Sequence, residues 1–192
     1  MHRWPALWSI HKVHHSAETL TPITVYRIHP LEGVFYASRN TIAQGGVISV
    51  FYYLFGDTVD IYTILGVNAL VIAFHVTGSN LRHSHIDIRY PKWLEHILIS
   101  PAQHQVHHSI AEEHYDKNFG AALAVWDWLF GSLHTSEDEK ELQFGLTENE
   151  LPSSTSMRVM YFQPVIEIYH LLRKRSRQLY RRISFRFMRS DT

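Results

Sequence analysis

Two hexapeptides constrain this chain more than anything else in it. His11-Lys12-Val13-His14-His15-Ser16 and His104-Gln105-Val106-His107-His108-Ser109 both read H-x-V-H-H-S. Positions i, i+3 and i+4 share one side of a helix, so the spacing predicts two helical segments, each offering three imidazoles to a common point. With His at 15 of 192 positions, template counting gives on the order of 0.1 chance matches to H-x-x-H-H. A second match that repeats Val and Ser as well is far rarer. Imidazole donors suit zinc, copper, iron and nickel, and a set of neutral nitrogens leaves a metal's charge largely uncompensated, which favours anionic oxygen species. The chain has no Cys, so a disulfide framework and thiolate ligands are excluded and any metal must use His, carboxylate or water.

The remaining sequence predicts an all-α chain of one domain, long enough to bury a core. A helix should start after Pro5 and carry His11, His14 and His15. Thr21-Pro22 and His29-Pro30 make Ala17 to Glu32 an irregular or short-helical connection. From Asn40 to Gly56 there are 17 residues without a charged side chain, and from Ile61 to Leu81 there are 21. Each run approaches the roughly 20 residues that span a bilayer, and Gly56 to Asp60 reads as a turn between them. The expectation is therefore an integral-membrane helical hairpin; the alternative is a pair of core helices in a soluble protein. Lys92 and Trp93 suit a membrane–water boundary. The second box follows Pro101 near a helix start, Asp116 to Gly120 reads as a turn, and Ala121 to Phe130 as an amphipathic helix stopped by Gly131.

Residues 136–157 read as an acidic, Ser-rich surface loop, which leaves 1–135 as the His-box domain and 158–192 as a tail. Nine of the 18 Lys and Arg lie from Arg158 onward against two acids, Glu167 and Asp191, so the tail carries +7 and the body −7. Val165 to Met188 has helical period, with apolar positions interleaved among Arg and Lys. It reads as a basic amphipathic helix on an anionic membrane face, or more plainly as a solvated helix. Nucleic acid is a weaker reading, because no recognition motif accompanies the charge. No signal peptide is recognisable at Met1-His2-Arg3-Trp4-Pro5.

With both boxes set around an apolar hairpin, the chain resembles the fatty acid hydroxylase and sterol desaturase superfamily of membrane His-box di-iron oxygenases. The likeness rests on Leu7-Trp8 through Ser16, His83 after the hairpin, Pro101 through Ser109, Asp116-Lys117-Asn118-Phe119-Gly120, and Trp126-Asp127 to Phe130-Gly131, in that order. One feature departs from the pattern: the family's first box has two His, and here only its second member is present, as His2. Its partner and the helices that carry it would lie upstream of Met1, so the resemblance implies a helical bundle lacking N-terminal transmembrane helices. It implies two iron ions held by His2, His11, His14, His15, His83, His104, His107 and His108, with zinc possible in the isolated protein. It further implies O2 as co-substrate, hydroxylation or desaturation of a sterol, fatty acyl or related lipid, and a metal site on the cytoplasmic side. Two electrons per turnover would come from a separate small redox carrier, since no G-x-G-x-x-G fingerprint occurs in the chain.

Other residues are open to plainer readings. His29 is a candidate for orienting a ligand through a hydrogen bond, and Glu18, Asp116 and Asp127 are candidate acceptors for ligand N–H groups, or else caps and surface charges. His75 is a ligand or a helix-face residue with equal warrant, and His85 points away from His83. His96, His114, His134 and His170 read as surface or packing residues. Two rival functions remain at this point: a structural zinc-binding or inactive membrane relative, and a soluble metallohydrolase.

Overall fold

The structure is a computed structural model that describes residues 1–77, 79–137, 141–148, 150 and 156–188; the side chains of 57, 61, 68, 75–77, 79 and 181–188 lie outside it. The His75 side chain is therefore outside the described part, as are those of Ile183 and Phe187 in the tail helix. Among the described residues the architecture is all-helical, and strand-like pairing is limited to two isolated antiparallel bridges, Leu98 with Leu123 and Ser109 with Phe144.

Helix α1 (Pro5–His15) starts with Pro at its first turn, where the missing N–H costs nothing, and ends on the first box. Arg27 closes its far end, its Nε donating to the Val13 carbonyl at 3.2 Å and to Ser16 Oγ at 2.9 Å. The connection that follows contains a 3-10 turn, Pro22–Tyr26. Helix α2 (Pro30–Phe55) begins ten residues before the uncharged run, with His29 as its N-cap: Nδ1 accepts from Leu31 N–H. A 3-10 turn, Gly56–Thr58, leads to α3 (Ile61–Thr77), and a second, Ser79–His83, carries the chain back to the body.

Both hairpin helices are exposed along nearly all of their described length, with Ile42 at 76%, Tyr53 at 87% and Leu70 at 72%. No helix among the described residues is long and apolar enough to cross a membrane. The two fall short for different reasons. The 26 residues of α2 include Glu32, Arg39, Asn40, Gln44 and three Gly, which dilute its apolar content. The 17 residues of α3 are almost wholly apolar, but at ~1.5 Å per residue they reach only about 25 Å against a hydrocarbon core of about 30 Å.

Helix α4 (Lys92–Glu95) precedes helix α5 (Pro101–His108), which carries the histidines of the second box. A capping box starts α5: Ser100 Oγ accepts from Gln103 N–H and Gln103 Oε1 accepts from Ser100 N–H, each at 3.0 Å. Beneath it, buried Glu95 accepts from the hydroxyls of Ser100 and Ser136, both at 2.6 Å, and from Ser136 N–H at 2.9 Å. Ser136 is thus interior, although the sequence places it in a surface loop.

The helix predicted from Ala121 is shorter than expected: α6 spans Val125–Phe130. Ala122 and Ala124 instead pair with the segment before α5, Ile99 N–H donating to Ala122 O and Ala124 N–H to Ile97 O, both at 2.9 Å. Gly131 ends α6 in the left-handed region at φ 75°. Helix α7 (Met157–Met188) begins eight residues ahead of the predicted Val165 and packs on α1, where Lys12 Nζ meets Glu167 Oε1 at 2.7 Å.

Candidate metal centre

The boxes converge because α1 and α5 are the two helices most completely buried in the body. Ile10 and Val13 of α1 and Ala102 and Val106 of α5 supply apolar packing, and His11, His14, His15, His104 and His108 are all buried beside them. His83, the expected ligand after the hairpin, is held near the boxes through the side-chain amide of Gln105 in α5. Gln105 Nε2 donates to the carbonyls of Ser84 and Ile86, both at 3.0 Å.

The imidazoles sort into two groups of four. His2, His11, His15 and His107 form one, and His14, His83, His104 and His108 form the other; within each group one nitrogen per ring lies within 4.8 Å of the rest. All eight ligand candidates from the sequence are therefore gathered, but each box is divided. At ~100° per residue, i and i+4 lie about 40° apart, while i+3 falls about 60° to the other side of i. So His11 and His15 face one point and His14 another, and the second box does the reverse, with His104 and His108 together and His107 sent across. The groups touch: the His15 and His108 ring centroids are 4.4 Å apart.

Hydrogen bonds fix which nitrogen faces inward. His11 Nδ1 lies 2.6 Å from Glu32 Oε1, His14 Nδ1 is 3.2 Å from the Arg27 carbonyl, and His107 Nδ1 is 2.8 Å from the Lys117 carbonyl. A proton held on Nδ1 by an acceptor leaves the Nε2 lone pair pointing into the cluster. There, His11 Nε2 lies 3.0 Å from His2 Nε2, His14 Nε2 lies 3.0 Å from His83 Nε2, and Nε2 of His15 and of His108 is buried without a hydrogen-bond partner. Lone pairs converging at that distance repel unless a proton or a metal ion lies between them, and Nε2 of His15 and His108 has no hydrogen-bond partner. The donor set therefore fits a pair of nitrogen-preferring metal ions.

Electrostatics agree. Burial, reinforced by neighbouring imidazoles, holds His14 at about 4 and His83 at about 3, and it lowers His107 to about 4 despite its bond to Lys117. The same causes drive His2, His15, His104 and His108 far down. These rings are neutral at neutral pH, which is the ligating form.

Several other predicted positions lie elsewhere. His29 Nε2 donates to the Tyr161 carbonyl at 2.8 Å, so it ties α2 to α7 instead of orienting a ligand. Glu18 is exposed, and Asp116 pairs at the surface with Arg3 at 3.2 Å. Asp127 is buried, but it collects backbone donors: Oδ1 accepts from Phe119 N–H at 2.8 Å and Ser132 Oγ–H at 2.6 Å, and Oδ2 from Gly120 N–H at 2.8 Å. It shapes the loop whose Lys117 carbonyl holds His107. His85 and His170 are exposed, His96 bonds the Lys92 carbonyl, and His114 is buried with its ring 5.2 Å from that of His134. Sequence reasoning missed Glu32 and Glu95, both fully buried. An acid in the third position of a helix that opens on Pro30 was the available sign of the former.

Two cavities flank the centre. The larger, about 810 Å³, reaches His11, His14, His83 and His104 and is walled by Leu7, Val25, Ile28, Phe119 and Phe130. The smaller, about 470 Å³, reaches His15 and His108 and is lined by Trp8, Tyr115 and Leu146. Trp8 Nε1–H donates to Glu150 Oε1 at 2.8 Å across its mouth.

Comparison with known proteins adds an independent line. A profile of the family described as fatty acid hydroxylase matches residues 1–132. The ornithine lipid hydroxylase OlsE of Rhizobium tropici is 28% identical over 146 residues, which are 76% of this chain and 40% of the relative. The alkylglycerol monooxygenase of Homo sapiens is 28% identical over 171 residues, 88% of this chain and 32% of the relative. That of Danio rerio is 29% identical over 149 residues, 76% of this chain and 28% of the relative. The chain thus covers between 28% and 40% of the length of these curated relatives. No solved structure matches.

Proposed function

The chain belongs to the fatty acid hydroxylase family, and on that premise we propose that it is an O2-dependent lipid hydroxylase built around a pair of iron ions. His2, His11, His15 and His107 would hold one ion, and His14, His83, His104 and His108 the other. The observation that carries this reading is the inward-facing donor set: two adjoining groups of four imidazoles, three of them with Nδ1 engaged outward. When bound, the iron pair supplies the redox chemistry that activates O2 and oxidises an unactivated C–H bond.

The protein's own part is to hold, orient and exclude. Glu32 keeps the His11 proton on Nδ1, and the Arg27 and Lys117 carbonyls do the same for His14 and His107, so three ligands need no reorganisation. The apolar wall of the larger cavity displaces water and receives an alkyl chain. Exposed apolar side chains along α2 and α3 exceed what a water-facing surface carries. In this reading they lie in a bilayer, with the His centre at its cytoplasmic face and lipid entering between them. The basic helix α7 rests on the anionic headgroups. Electrons come from a separate small redox carrier.

The test is metal analysis and turnover on detergent-extracted protein. Two irons per chain, and incorporation of labelled oxygen from O2 into a lipid product that is lost in His108→Ala, are the expected results. Stoichiometric zinc with no O2-dependent oxidation would sink the proposal.

A further inference from the structure

The eight imidazoles are not all reached from the same cavity. Six of them, His2, His11, His14, His83, His104 and His107, line the larger one. The remaining two, His15 and His108, line the smaller. These two belong to different groups of four, and their centroids, 4.4 Å apart, make the closest ring approach between the groups; the other ring contacts across that boundary run from 5.3 to 5.7 Å. They are also the rings whose Nε2 is buried without a hydrogen-bond partner. The smaller cavity therefore meets the centre at the seam between its halves.

The two linings differ in chemistry as well. Where the larger cavity has Leu7, Val25, Ile28 and Phe130, the smaller has Ser109, Tyr115, Asp116, Thr147 and Glu150. An alkyl chain laid against two carboxylates would desolvate them without compensation. Glu150 is held in place, Oε1 accepting from Trp8 Nε1–H at 2.8 Å and Oε2 from Thr147 Oγ–H at 2.9 Å. Trp8 in turn lies against His2 and His15, with centroids at 5.4 and 5.3 Å. Its indole is thus pinned between a carboxylate of the cavity wall and two of the gathered imidazoles.

We propose that the smaller cavity is the route by which O2 reaches the seam between the two groups, and that the Trp8–Glu150 hydrogen bond restricts it. The assignment rests on the hydroxylase reading and gives the co-substrate a path separate from the lipid's. A pocket that buries most of an alkyl chain is filled by it, so a second reactant arriving with lipid in place needs another way in. A neutral diatomic passes a polar lining without a charge to desolvate, whereas a lipid tail does not belong there. The pinned indole keeps larger solutes from rings whose lone pairs must stay available.

The test follows entry and needs no turnover. Full-length protein in detergent micelles is loaded anaerobically with ferrous iron and mixed with nitric oxide, a neutral diatomic that binds ferrous iron, and complex formation is followed by stopped-flow absorbance. Ile110→Trp and Thr147→Trp, which fill the smaller cavity, should each slow binding at least about fivefold at the parent iron content, as blocking an access route does. Val25→Trp, which fills the larger cavity, should leave the rate at the parent value. Glu150→Ala, which removes bulk and frees the indole, should quicken entry, and it carries the test on its own should neither filled variant retain iron. Filled variants that bind nitric oxide at the parent rate, Val25→Trp slowing it as much as they do, or Glu150→Ala entering no faster than the parent overturns the proposal. Slowing by the filled variants in a protein that forms no oxygenated lipid from O2 would sink the hydroxylase reading and leave the route standing; protein that takes up no iron overturns both.

Discussion

At the scale of single residues, the centre depends on where eight imidazole protons reside. Glu32 matters most, because a fully buried carboxylate 2.6 Å from His11 Nδ1 fixes both the tautomer and the orientation of that ring. Removing such a partner lowers metal affinity by about 10–100-fold. Glu32→Ala should fall in that range and Glu32→Gln, which keeps an acceptor, should fall short of it, as measured by metal retained on dialysis against a chelator. Acid should act on the metal-free protein in a definite direction. His14, His83 and His107 titrate near 4, 3 and 4 in the folded chain and near 6.5 when unfolded. Between those values the unfolded chain binds more protons, so stability is lost progressively as pH falls through about 6.5, and the share lost through these three rings is complete only below about 3. Thermal melts of chelator-treated protein between about pH 7 and 5 check this; a flat profile would contradict the burial of these rings. The residues themselves were unevenly legible. The boxes announce themselves by local spacing, whereas His2 and His83 have no local pattern and came only through the family resemblance. Glu32 was hidden for a physical reason: an acid in the first turn of a helix is already accounted for by the helix dipole, and nothing local says that a histidine 21 positions earlier will face it.

At the scale of elements, the loop from Asp116 to Gly120 is the most constrained. Asp116 and Asn118 adopt positive φ of 59° and 51°. At Gly120 a Cβ would stand 2.5 Å from the Leu123 carbonyl and 2.8 Å from Asp127 Oδ2. Gly120→Ala should therefore destabilise the protein by about 1–3 kcal/mol, the usual cost of overpacking. It should also loosen His107, since the loop carries the Lys117 carbonyl; melting temperature and metal content together report both. The same loop explains why α6 starts late. Ala121 to Ala124 favour helix by composition, but Asp127 takes the N–H groups of Phe119 and Gly120, and the backbone of 122–124 is committed to residues 97–99. Tertiary hydrogen bonding overrode propensity there. In the hairpin the helices and the turn were legible, but no helix among the described residues is long and apolar enough to cross a membrane, since α2 takes in Glu32 and Arg39 and α3 has only 17 residues. Membrane attachment is testable apart from the metals. Ile42→Arg with Leu70→Arg, each costing about 2.5–3.5 kcal/mol if buried in the bilayer core, should abolish flotation with phospholipid vesicles while metal content stays at the parent level.

At the scale of the whole molecule, polar groups dominate the interior. The buried apolar side chains of the described body are few and mostly small, against a larger company of buried His, Glu, Gln, Asn and Ser. Much of the cohesion therefore comes from hydrogen bonds and from whatever occupies the donor groups, so chelation should lower the melting temperature markedly and return of metal should restore it. The division of each box adds a coupling. Since α1 and α5 each supply rings to both groups, an ion bound in one group would immobilise both helices and so position a ring of the other. The second ion then binds to a site whose ordering entropy has already been lost, and uptake should be sigmoidal in metal concentration, with half-loaded protein scarce at every point of the titration. Such a centre has no working half. A chain that kept only one of its boxes would not retain one group of four out of two; it would retain fragments of both.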